Sequence, residues 1–141
     1  MRWLLTATLL VGLTACQCVA RVTVSGSLEQ GVLFQAPGGP SDSIGQGELH
    51  ELTVHMVGSN ALSPIWRIKG RARIGSLVYG RVPSGLSEDA PAKPLERGRT
   101  YIVEIDGANG GFTPPCHGAV SFAIGPDGRI TSCYEGGSEC A

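Results

Sequence analysis

The sequence predicts an all-β fold: a single antiparallel β-sandwich preceded by a cleaved signal segment. Three observations carry this. Apolar and polar residues alternate with a period of two along most of the 141 residues, and no segment repeats apolar residues at helical spacing. The 21 glycines and 9 prolines are scattered without a period, which opposes helices, collagen and solenoids alike. Clusters of turn-forming residues separate the alternating runs, as in folds built from seven or eight short strands.

The first element is not part of that fold. One charge, Arg2, precedes an apolar and small-residue run from Trp3 to Ala15, which ends in Leu13-Thr14-Ala15-Cys16. The run is shorter than the roughly 20 residues a membrane-spanning helix needs, so it reads as a signal peptide closing on a cysteine. Its ending resembles the lipobox of bacterial lipoproteins. The resemblance implies cleavage before Cys16, acylation of its thiol and amine, and a membrane anchor. Residues 1–15 are then signal peptide, 16–18 the lipid-anchor segment and 19–141 the domain. An ordinary secretory signal cut after Ala20 is the competing reading. Cysteine parity favours the lipobox: lipidation of Cys16 leaves Cys18, Cys116, Cys133 and Cys140, an even set for two disulfides, whereas cleavage after Ala20 leaves three.

The strands follow in order. Val22 and Val24 alternate with polar neighbours, and Val32 and Phe34 make a second short strand. Residues 36–47 read as a loop. Leu52, Val54 and Met56 face inward on a long strand, with Glu51, Thr53 and His55 outward. Trp66 and Ile68 continue the pattern, and residues 74–79 are expected to complete a hairpin-like pair with them. Residues 80–98 read as loop again. Tyr101, Val103 and Ile105 face inward on the next strand, and Val120, Phe122 and Ile124 on the one after. Gly125-Pro126-Asp127-Gly128 suits a type I turn with a glycine bulge, leading to a last strand around Ile130.

That turn sets a register. Residue 125 faces 129, so Ile124 faces Ile130 and Phe122 faces Ser132. Extended, it sets Cys116 opposite Ser138, near Cys140, and leaves Cys133 on the other face for Cys18. Cys116–Cys140 with Cys18–Cys133 is therefore the expected connectivity among three.

Residues Leu95 to Val103 resemble the tyrosine corner of immunoglobulin-like and fibronectin type III domains. The resemblance implies an Ig-like sandwich, with Tyr101 as the corner residue and Trp66 as the buried core aromatic. The wider segment from Trp66 through Tyr79-Gly80, Pro83-Ser84-Gly85 and Pro94-Leu95 to Tyr101 resembles small uncharacterised lipoproteins of proteobacteria. Some of those are labelled immunity proteins of type VI secretion.

Chemistry is sparse. His50-Glu51-Leu52-Thr53-Val54-His55 has a histidine spacing of five where a zinc protease helix needs four, and on a strand residues 50 and 55 point to opposite faces. Cys116-His117 is a single cluster in a compartment that favours disulfides, so neither a zinc site nor a reduced nucleophile is expected. No catalytic residue, metal site or cofactor is assigned. The net charge of −1 gives no pull towards nucleic acid.

One surface feature stands out. Arg67, Lys69, Arg71 and Arg73 occupy every second position of a strand, with Arg81 nearby. Such a row reads either as a solvated sheet face balanced by Glu51 or Glu104, or as a docking stripe for an acidic partner, anionic headgroups or an acidic glycan. The expected function is a lipid-anchored envelope module that binds another protein without catalysis, an immunity protein being one form. A small envelope hydrolase with a site built from distant loops, or a purely structural component, are the alternatives. Gln17 after the acylated cysteine points by the lipoprotein sorting rule to the periplasmic face of the outer membrane.

Overall fold

Alternation does generate strands, and they pair as two sheets with their apolar faces together. A computed structural model describes residues 18–19, 22–35, 48–58, 63–108 and 116–134. The expected signal segment, Cys16, the expected loop at 36–47 and the expected Ser138–Cys140 register lie outside these residues. Ten strands occur among them: β1 (Cys18–Val19), β2 (Thr23–Ser27), β3 (Gly31–Gln35), β4 (Glu48–Met56), β5 (Trp66–Ala72), β6 (Ser76–Val78), β7 (Leu86–Ala90), β8 (Thr100–Ala108), β9 (Cys116–Ile124) and β10 (Ile130–Tyr134).

The larger sheet runs β9-β8-β4-β5-β7, each neighbour antiparallel. On the far edge of β9, β10 pairs antiparallel with residues 120–124, while β1 pairs parallel with residues 116–117. The smaller sheet is β2-β3-β6. The protein is thus an all-β sandwich, antiparallel except at β1.

The core lies between the sheets. Val24, Val32, Phe34 and Leu77 come from the smaller one, and Leu52, Val54, Trp66, Ile68, Val103, Val120, Phe122 and Ile124 from the larger. Phe34 bridges the layers: its ring stacks on Trp66 at 6.5 Å between centroids and meets Phe122 edge-on at 5.9 Å. Pairs of this geometry add about 0.5–1.5 kcal/mol beyond area burial.

The tyrosine-corner geometry forms. Tyr101, the second residue of β8, is fully buried, and its hydroxyl accepts the Glu96 backbone N–H at 2.8 Å. Trp66 is completely buried, as expected. The β9–β10 register matches as well: Ile124 pairs with Ile130 and Phe122 with Ser132. Gly128 takes the left-handed conformation at φ +82°, and the Gly125 N–H donates to the Arg129 carbonyl at 2.9 Å.

Two expectations fail. Residues 74–79 do not form a hairpin with β5. The side of β5 away from β4 is occupied by β7 (Lys69 opposite Ser87), and β6 crosses to the other sheet, where Phe34 faces Leu77. Leu77 is thereby buried in the core from the opposite side. Residues 80–98 are not all loop, because β7 lies within them. Leu-Ser-Glu-Asp-Ala lacks alternation because a short edge strand exposed on both sides has no buried face to mark.

Candidate functional site

The outer face of the larger sheet carries most of the ionisable side chains singled out in the sequence. Neighbouring strands put paired residues on one face, so Glu51 stands between Lys69 on β5 and Asp106 on β8, and Thr53 between Arg67 and Glu104. Arg67 Nε lies 3.3 Å from Glu51 Oε1, and its Nη1 lies 3.4 Å from Asp89 Oδ2. Lys69 Nζ reaches the same two carboxylates at 4.0 and 3.5 Å. Two cations thus sit between two anions. The centre of the basic row is neutralised within the sheet.

The rest of the row does not share that arrangement. Arg71 is exposed, and its backbone N–H bonds the Gly85 carbonyl at 3.1 Å. Gly70, just before it, has no room for a side chain, since a Cβ there would collide with that carbonyl. Arg73 is exposed beyond the end of β5, and Arg81 is exposed after β6, its N–H bonded to the Val78 carbonyl. No ion pair reaches Arg71, Arg73 or Arg81 among the described residues. The five cations form a neutralised pair, an end pair and an outlier rather than one stripe.

Of the two carboxylates named as balancing the row, Glu51 does so, while Glu104 lies 3.5 Å from His55 Nε2. The other two histidines also sit beside carboxylates: His50 Nε2 is 3.6 Å from Glu48, and His117 Nδ1 is 2.7 Å from Asp106 Oδ1. His50 occupies a break in register, where β4 shifts against both neighbours between Leu49 and Glu51. On β9 the side chains of Cys116 and His117 part company: Cys116 is 1% exposed, while His117 has 60% of its side chain in solvent. Consecutive strand residues point to opposite faces, so these two cannot act as a thiol–imidazole pair.

One end of the sandwich gathers several features. Cys18 pairs with Cys116, Cys116 with Gly107, Gly107 with Leu49 and Leu49 with Ala72, a single row across five strands. Arg71 and Arg73 flank the far end of that row. A small apolar cleft opens between the sheets at this end, lined by Val22, Leu49, Ile74, Leu77 and Ile105 among others. Cys133 pairs with Ser121, five residues further along β9. At roughly 3.4 Å per residue it lies about 17 Å from the Cys18 row, well beyond the roughly 7 Å a disulfide spans. The expected Cys18–Cys133 bridge is therefore ruled out by register.

Two hydrogen bonds made by core-packed aromatic side chains went unseen in the sequence. The Trp66 indole N–H donates to Glu88 Oε1 at 3.0 Å, and the same oxygen accepts the Ala92 N–H. The Tyr79 hydroxyl donates to the Lys93 carbonyl at 2.7 Å, and burial raises the pKa of this phenol far above its ordinary value. Both partners come from β7 and the segment after it, where no periodicity marked a strand. No family model, curated protein or solved structure matches the chain.

Proposed function

We propose that the chain is a lipid-anchored module of the cell envelope that binds a protein partner and carries no catalytic step of its own. The supporting observation is the spacing between address and fold. The lipobox cysteine, Cys16, precedes by two residues the first strand, Cys18–Val19, which is paired into the larger sheet. Two residues of extended chain span about 7 Å, too little for a free tether, so the sandwich works at the bilayer surface. An immunity protein that meets a toxin arriving at the membrane is one form of this function.

The docking surface contracts from the whole basic row to the cations that the sheet leaves unpaired. Arg71 and Arg73 lie at the anchored end, where an acidic partner at the membrane would meet them. Arg67 and Lys69 serve the sheet itself.

Fractionation tests the anchor. Wild-type protein should partition with membranes and carry acyl mass on Cys16, and a Cys16→Ser variant should not. A wild-type chain without acyl mass overturns it. For the docking surface, Arg71→Ser/Arg73→Ser should weaken capture of the partner recovered from membranes, while Arg67→Ser should leave capture nearly unchanged. The reverse order of effects rejects the assignment.

A further inference from the structure

We infer that Cys18 and Cys116 form a disulfide that staples the first strand to β9, leaving Cys133 and Cys140 as the second pair. The argument is geometric. Cys18 and Cys116 are direct register partners on adjacent strands. Adjacent strands run about 4.8 Å apart, within the 4.4–6.8 Å Cα separation that disulfides require. Cys133, opposite Ser121, is about 17 Å along the sheet from both. Cys116 is buried on the core side, and its sulfur is engaged rather than a free thiol. The two-residue parallel strand also needs such a tie, because two paired positions alone make a weak ladder.

The bond forms by exchange. One cysteine thiolate attacks a disulfide of an envelope dithiol oxidoreductase, or a small-molecule disulfide such as oxidised glutathione, giving a mixed disulfide. The second thiolate displaces it. Two electrons and the two thiol protons pass to the oxidant, which leaves as a pair of thiols. The inference rests on the proposed export of the chain, since a reducing cytosol would leave both thiols free.

Trypsin separates the alternatives cleanly, because cleavage after Arg21, Arg99 and Arg129 places the cysteines on three peptides: 16–21, 100–129 and 130–141. The full-length protein is recovered from membranes with free thiols blocked by N-ethylmaleimide, digested without reductant and weighed. The expected products are 16–21 joined to 100–129, and 130–141 alone, two hydrogens lighter than its reduced form. Peptide 100–129 joined to 130–141, or 16–21 joined to 130–141, overturns the pairing. So does maleimide on Cys18 or Cys116. Acyl mass on 16–21 reads the anchor separately: with it present and the thiols blocked, the staple fails and the anchor stands.

Discussion

The Tyr101 hydroxyl shows how much one atom holds at a sheet corner. It accepts the Glu96 N–H, and the same loop is pinned by the Gly98 N–H to the Ile124 carbonyl at 2.7 Å. Tyr101→Phe keeps the ring against Phe122 but strands a partly buried donor, so it should cost about 1–3 kcal/mol in urea unfolding. A loss below about 0.5 kcal/mol would show that water replaces the hydroxyl without penalty. Burial, partly offset by that hydrogen bond, also raises the Tyr101 pKa. The folded state then holds its phenolic proton more tightly than the unfolded chain. The resulting stability is complete below the unfolded value near 10 and declines as pH rises towards the folded pKa. Tyr79, raised more strongly by burial, acts in the same direction. Melting temperature should therefore fall above pH 10, and less steeply in Tyr101→Phe; equal slopes would reject the assignment. Tyr101 was legible because a leucine and a glycine precede it in a known local pattern. Glu88, which satisfies Trp66, was not: the pair is 22 residues apart, and the sequence carries no sign of which carboxylate reaches the indole.

At the scale of elements, alternation was informative wherever a strand buries one face, and silent elsewhere. Val22 and Val24, Leu52 and Val54, Trp66 and Ile68, and the runs in β8 and β9 all face the core as their spacing predicted. β6 was seen as a strand but assigned to the wrong partner, since period two fixes which face is buried and says nothing about which sheet receives it. β7 was missed because its ordering comes from backbone pairing with β5 and from Asp89 against Arg67 and Lys69. Those ion pairs are half-exposed and worth about 1 kcal/mol or less each. Asp89→Asn should accordingly shift stability by under about 1 kcal/mol, and a larger loss would mean the edge strand depends on charge. The β9–β10 turn is the opposite case, with its demand written into the chain. Gly128 has positive φ and the Glu29 carboxylate against its open side, where Glu29 also pairs with Arg97. Gly128→Ala should cost at least about 1 kcal/mol by chemical denaturation, and a neutral result would show that the turn can take another form.

For the molecule as a whole, a disulfide between Cys18 and Cys116 would close a loop spanning nearly all of the sandwich. Cys18→Ser should lower stability by about 2–4 kcal/mol under oxidising conditions and leave the reduced protein unchanged. A difference that persists in reductant would mean that Cys18 contributes by packing instead. The sequence led to the expectation that four cysteines pair off once Cys16 is lipidated, but the proposed pairing rests on β1 joining the larger sheet parallel to β9, a long-range choice with no local signature.

The direction of β1 also decides how the domain bears load. In the proposed arrangement a pull from the bilayer enters at the N-terminal end of β1 and runs along that strand, parallel to β9. Its hydrogen bonds are then strained together, in shear, rather than peeled open one after another. A tug on the proposed acyl chains would load this edge pairing along its length instead of unzipping it, so the domain should keep its shape and its exposed arginines in place while the membrane beneath it moves.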